Sequence, residues 1–523
     1  MSVASLDLTR SSQVRIIVCV VVMMGMACSG KDVSPAADAD VQEARELPRV
    51  TGPSPFLADC NGPDFPITAA YVNAEVEPYV AINPRNPSNV IAVYQQDRYA
   101  NNRANGVLAS ASFDGGRTWQ VPELKDQPQF SRCASGSEAW EGDFEQASDP
   151  WVAFGPDGIA YFAAPAFNIS KPGTAELVST STDGGRTWER PVVVISNMDT
   201  EGRNVRPAVT ADPKRQGTAY LVWARSHPAP GVGGTAFFSR TTDGGKIWSE
   251  ARAIHESPIG MGNSGNEIVV TPNGDLVNVF TETAPGTRSD QPRDRIAVMR
   301  SSDGGLTWSE PMTVASSVVA DVNDPGTGAV IRVGSFTDIA VDPRPGTNTI
   351  YAVWRDARFT QSRTHQIALV KSTDGGRTWS EPIAVSTGQG EQAFTPSVAV
   401  NDSGDVAVTY YGFSTDKSQS RALMTQHWIT LSKDSGQTWT TRQQVTRQPF
   451  DMRTAPFNDG FFLGEYVGLA GAGQVFVAVP VLTNGRSLDN RTDVFSCTVT
   501  VRSGDDAIPL QGGSTSAAAI ACQ

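Results

Sequence analysis

The sequence predicts an all-β protein, a ring of repeated four-stranded units known as a β-propeller. Three observations lead there. The 523 residues include 48 Gly and 34 Pro, too many turn formers for a helical protein, and the 39% of hydrophobic residues are too many for a disordered chain. An octapeptide of the form Ser-x-Asp-x-Gly-x-Thr-Trp recurs six times, at spacings of 69, 60, 60, 71 and 60 residues. Around each copy, short runs rich in Val, Ile and aromatics alternate with Gly, Pro, Asp and Asn. Residues 335–385 show the unit: Thr337–Asp342, Ile350–Trp354, Gln366–Lys371 and Trp379–Val385 read as four strands. Four-stranded units repeated radially are propeller blades.

From the N-terminus, residues 1–28 read as a targeting segment. Arg10 and Arg15 precede an apolar run, Ile16 to Ala27, that is roughly half the ~20 residues a membrane-spanning helix needs. Its end, Gly25-Met26-Ala27-Cys28-Ser29, resembles the lipobox of bacterial lipoproteins, which implies a lipid on Cys28 and a place in the cell envelope, with plain secretion as the alternative. Residues 29–62 read as a flexible tether, 63–507 as the propeller and 508–523 as a C-terminal tail. Outside the cell cysteines oxidise, and Cys60, Cys133, Cys497 and Cys522 permit three pairings. Cys60 with Cys133, each shortly before the inner strand of consecutive repeats, and Cys497 with Cys522 are favoured.

The boxes run Ser112–Trp119, Ser181–Trp188, Thr241–Trp248, Ser301–Trp308, Ser372–Trp379 and Ser432–Trp439. They resemble the Asp-box, or BNR repeat, of the sialidase-like propellers. The resemblance places each box in the hairpin between the third and fourth strands of a blade. There Asp114, Asp183, Asp243, Asp303, Asp374 and Asp434 are expected to accept backbone N–H bonds as structural, not catalytic, groups. Thr241 and Ile247 in the third box and Ser435 in the sixth depart from the pattern and suggest looser hairpins. A seventh unit without a clear box follows: Leu463–Leu469, Gln474–Val479 and Asp493–Val501 read as its strands. The segment Ala69–Val76 is expected to supply the missing fourth strand and close the ring. Seven blades are favoured, with six, as in true sialidases, as the competing count.

First strands line a propeller's channel, and positions two apart face the same way. Aligned by parity, they give Glu77 and Tyr79, Asp149 and Trp151, Arg206 and Ala208, Gly265 and Glu267, Phe336 and Asp338, Phe394 and Pro396, and Leu463 and Glu465. Carboxylates therefore gather at one channel mouth with Arg206. Glycoside hydrolysis needs two acidic groups, or a tyrosine nucleophile helped by a carboxylate. Glu267, Asp338 and Glu465 are the acid/base candidates, Tyr466 is the nucleophile candidate, and Glu77 and Asp149 complete the binding surface. Arg206, Arg355 and Arg453 are candidates to hold a substrate carboxylate. Trp354-Arg355-Asp356-Ala357-Arg358 resembles the Trp-x-Asp-x-Arg element of secreted relatives, and Phe462–Gly468 resembles their Phe-x-Gly-Asp-Tyr-x-Gly with Glu465 for Asp. The Arg-Ile-Pro that opens the catalytic domain of true sialidases does not occur.

Other classes are excluded. A net charge of −13 opposes binding to a phosphate backbone, so nucleic acid is not an expected partner. The four His show no HExxH spacing, there is no CxxC, and no cofactor is implied, although clustered carboxylates would suit Ca²⁺. Gly260–Gly265 fits GxGxxG but precedes a strand instead of following one. The expectation is a monomeric, sialidase-like glycoside hydrolase acting on external glycans, touching a membrane only through its lipid. The alternative is a propeller that binds a glycan or a surface protein without turning it over.

Overall fold

A computed structural model describes residues 47–501, apart from 58–59, 61–69, 101–102, 136–143, 200–201, 228–232, 285–291, 387, 389, 417–420 and 486, together with Cys522. The targeting segment, the lipidation site at Cys28, most of the tether and nearly all of the tail lie outside the described residues. Antiparallel sheets follow one another along the chain. Four-stranded sheets begin at the inner strands Arg203–Ala211, Gly262–Val270, Asp338–Val341 and Glu391–Val400, the last of these with a short extra strand. The two before them begin at Val76–Ile82 and Trp151–Phe154 and are tied to each other through Gln146–Ala147. The final sheet has three strands, Gly468–Ala472, Val475–Val479 and Cys497–Thr500.

Each inner strand packs against the next in chain order, and Gly468–Ala472 returns to Val76–Ile82, so the ring is closed and the fold is the expected all-β propeller. Second strands lie between neighbouring sheets and are covered on both faces. That is why they read as unbroken apolar runs: all of Val90–Tyr99 is buried, and Trp223 and Trp354 are among the largest fully buried side chains.

Each box is a hairpin wrapped around its aspartate. In the fifth, Asp374 accepts from the backbone N–H groups of Arg377 and Thr378 at 2.9 Å and from the hydroxyls of Thr378 at 2.6 Å and Ser372 at 2.8 Å. The two divergent boxes are not looser. Asp243 keeps the backbone bonds from Lys246 and Ile247 at 3.1 and 3.0 Å and loses only the hydroxyl that Ile247 lacks. The sixth keeps its whole set around Asp434, because Ser435 takes the left-handed φ of 59° usually left to glycine.

Ring closure departs from expectation. Ala70–Tyr71 pairs with Arg98 and Tyr99 of the first sheet rather than with the last sheet. An earlier segment meets the stretch that leads into the last sheet: Arg49 bridges Phe495, Val50 N–H donates to Val494 O at 2.8 Å, and Pro48 O accepts from Ser496 N–H at 2.9 Å. The tether therefore ends before Leu47. Leu47 and Val50, isolated apolar residues in that stretch, are both buried in the cores beside the closing sheet. Thr492–Val494, expected as part of a third strand, instead forms a hairpin with Val481–Thr483. Disulfides join Cys60 to Cys133 and Cys497 to Cys522.

Candidate active site

Four inner strands break register near the same channel mouth, between Val76 and Tyr79, Val205 and Ala208, Ser264 and Glu267, and Phe394 and Ser397. Inside each break one residue is left-handed: Glu77 at φ 52°, Arg206 at 56°, Gly265 at 63° and Thr395 at 47°; Asp149 does the same at 46° just before Trp151. A bulge bends its strand and re-aims the side chains that follow. A non-glycine residue held there costs roughly 1–3 kcal/mol. Four of the ten such residues in the described chain meet at this one mouth, which marks it as the place where the fold accepts strain.

The bulges frame a cavity lined by Asp149, Trp151, Arg206, Glu267, Asp338, Glu465 and Tyr466, among others. One wall is a carboxyl pair. Glu267 is raised well above the usual carboxylate range, first by burial, then by the charge of Asp338 and the hydrogen bond between the two, while Tyr79 and the Ile339 N–H also bond to it. Burial also raises Asp338, against the pull of the Ser397 hydroxyl and Val398 N–H, both at 2.6 Å. Burial thus favours the protonated form of both members of the bonded pair. Beside it, Tyr79 stacks on Trp151 at 3.6 Å between centroids, and Tyr466 leans on Trp151 at 5.5 Å.

The opposite rim is ionic. Both oxygens of Glu465 are ion-paired, one with Arg206 and the other with Arg332 at 2.9 Å. Its backbone N–H donates to Glu77 at 3.2 Å, and Glu77 also accepts from Gln95. Burial, and next the charge of Asp149, push Glu77 up to about 7 despite Arg98, Arg332 and Arg206. Asp149 accepts from the Arg206 backbone N–H at 3.2 Å. The Tyr466 hydroxyl donates to Pro150 O at 3.1 Å.

Most of the residues chosen by strand parity are brought together here, with corrections. Glu77 is buried behind the rim as a support for Glu465 and does not line the cavity. Glu465 is an ion-pair centre rather than half of an acid/base pair. Parity slips by one in the last two sheets, because the left-handed residue is Thr395 in one and Gly464 in the other. Ser397 and Tyr466 therefore stand where Pro396 and Glu465 were aligned, and Phe394 turns into the core. Arg355 and Arg453 do not line the cavity. Arg355 is buried on Gly334 O, Ser335 and His365, and Arg453 pairs with Asp324 at 2.7 Å. The Trp354-x-Asp356-x-Arg358 element is an internal brace, since Asp356 accepts from the Trp354 indole at 2.7 Å and pairs with Arg358 at 2.9 Å. Arg332, Tyr79 and Ser397 went unassigned. For Arg332 there was a signal: it lies in the 71-residue interval, about ten residues longer than the common spacing of 60.

The fold and site together are a closed all-β propeller with a carboxyl-lined cup at one channel mouth. The profile of a BNR repeat-like domain matches residues 158–325. A sialidase of Bacteroides fragilis is 22% identical over 330 residues, 55% of this chain and 57% of that protein. A sialidase of Micromonospora viridifaciens is 28% identical over 167 residues, 29% of this chain and 24% of that protein. The chain thus resembles BNR-repeat, sialidase-like proteins over part of its length, and it spans little more than half the length of the first relative and a quarter of the second. Among solved structures, the Hadza microbial sialidase Hz136 is 16% identical over 77% of this chain and 75% of that chain, with a TM-score of 0.44. An α-L-arabinofuranosidase of Fusarium graminearum is 11% identical over 87% and 98%, with a TM-score of 0.46.

Proposed function

We propose that the protein is a secreted or Cys28-lipidated glycoside hydrolase, an exo-α-sialidase or related glycosidase, that removes a terminal glycosyl unit from external glycans at the mouth of a seven-bladed channel. The carrying observation is the buried, mutually hydrogen-bonded Glu267–Asp338 carboxyl pair on the cavity wall. A carboxyl group kept protonated near neutral pH can protonate a glycosidic leaving oxygen. Because the two groups bond to each other, they are too close to be the separate acid and nucleophile of two-carboxylate hydrolysis, which stand roughly 5 Å or more apart. They act as one acid. Attack at the anomeric carbon falls to Tyr466, which lines the cavity within the field of Glu77 and Asp149, and its phenolic proton passes to solvent. Trp151 and Tyr79 offer an aromatic face to the sugar ring.

A second reading, a glycan-binding propeller without turnover, is favoured by one observation: burial, and then the charges of Glu77 and Asp149, push the Tyr466 phenol well above its usual range. A panel of fluorogenic glycosides, sialosides and arabinofuranosides included, assayed across pH, separates the two. Turnover with a bell-shaped pH profile is expected. Glycan binding with no turnover on the whole panel would establish the binder instead.

A further inference from the structure

We propose that Glu465 is a built-in ligand of a two-arginine anion fork, and that its presence makes the pocket take an uncharged glycosyl unit and refuse one that carries a carboxylate. The inference rests on the glycosidase reading for the kind of ligand, a sugar, and within that reading it selects the related glycosidase over the exo-α-sialidase. It needs no turnover.

The three groups come from separate parts of the ring. Arg206 stands in the bulge of one inner strand, Arg332 in the long connection before Asp338–Val341, and Glu465 in the segment that enters the last sheet. A parallel bridge between Ile331 and Phe461 holds the Arg332 and Glu465 segments side by side, whereas no strand pairing brings Arg206 to either. Arg332 grips one oxygen of Glu465 through Nε at 3.2 Å and Nη2 at 2.9 Å, and Arg206 takes the other oxygen. An aromatic face backs each guanidinium: Arg206 lies 4.0 Å over Phe336 and Arg332 4.7 Å over Phe462. Such backing fixes the planar donors in advance of any ligand. The carboxylate is the more enclosed partner, with 9% of its side chain exposed against 26% for Arg206 and 19% for Arg332. Glu465 therefore sits as a bound anion would sit.

Charge count gives the consequence. Around this rim, Arg98, Arg206 and Arg332 face Glu77, Asp149 and Glu465, so the six cancel when the acids are ionised. A further carboxylate carried in by a ligand would leave an excess negative charge in an enclosed pocket whose other wall is the Glu267–Asp338 pair. It would have to expel Glu465 first. An uncharged sugar faces no such exchange.

Glu465→Ala in the full chain tests this. Acetate is the first probe, compared with chloride at equal ionic strength, and glucuronate against galactose is the second, read by thermal shift and titration calorimetry. Wild type is expected to ignore acetate and to bind galactose better than glucuronate. In the alanine variant, acetate should restore thermal stability, and glucuronate should bind at least about tenfold tighter than to wild type. If the variant folds only with acetate present, that dependence supports the fork. Glu465→Gln keeps the volume and removes the charge, and it too must gain glucuronate affinity. Tighter binding of glucuronate than galactose by wild type, or no carboxylate gain in either variant, overturns the proposal. These titrations stay readable if every glycoside in the panel goes unhydrolysed, so the two readings fail separately.

Discussion

Glu267 lies between two partners that ask different things of it, the Tyr79 hydroxyl donating to it and Asp338 taking its proton. Its raised pKa has a sign for stability. In the unfolded chain it releases its proton near pH 4.3, whereas in the fold it keeps it, so rising pH above that point weakens the wild type until the folded group also ionises. Glu267→Gln retains a donor for Asp338 and an acceptor for Tyr79 but has nothing to titrate. Its melting temperature relative to wild type should therefore climb as pH rises from about 4 to 8. Turnover should meanwhile fall roughly 10²–10⁴-fold, the usual worth of a positioned acid. A melting difference independent of pH would show that the proton is not held there. This pair was legible in the sequence, because alternation along a strand is a reliable guide until a bulge intervenes. Ser397 and Tyr466 were displaced by one place for that reason: a left-handed Thr395 looks like any other threonine in a list of letters.

The hairpin carrying each Asp-box works as a latch on the preceding sheet. Its second glycine presses on that sheet: Gly185 lies over Ile91, Gly245 over Thr180, Gly376 over Val277 and Gly436 over Tyr351, while Gly116 of the first box reaches Val477 and Thr498 of the last sheet. Gly305 is the tightest case, with φ at +84° and the space for a Cβ already filled by the Phe238 ring. Gly305→Ala should destabilise by about 2 kcal/mol or more, through backbone strain and overpacking together, and leave the Michaelis constant unchanged. A melting temperature within a degree of wild type would reject the latch. The sequence displayed this element most openly, since six copies of one turn have one physical explanation. What it concealed was the partner. Nothing in Ser-x-Asp-x-Gly says that the glycine faces the neighbouring sheet rather than its own.

Closure of the whole ring is a joint product of the chain's two extremes. Val50, only 1% exposed, packs with Val494, while the Trp119 indole donates to Ser496 at 2.8 Å and the Thr498 hydroxyl to Gly115 O at 2.8 Å. Val50→Asp would place an uncompensated charge in that seam and should cost about 3 kcal/mol, seen as a lower denaturant midpoint. An unchanged midpoint would mean that the seam holds without the early segment. Composition could not point to this stretch, because Leu47 and Val50 are isolated apolar residues among Glu46, Pro48, Arg49 and Thr51. The seam also has a bearing on biosynthesis. Residues made first wait, unpaired, until some 450 further residues have been added and 494–498 leave the ribosome. The second to sixth sheets can each latch onto one already made; the first cannot. A nascent chain halted before that point would present an unfinished rim to proteases and chaperones, and emergence of 494–498, rather than any step of local folding, would time the moment at which the ring becomes resistant.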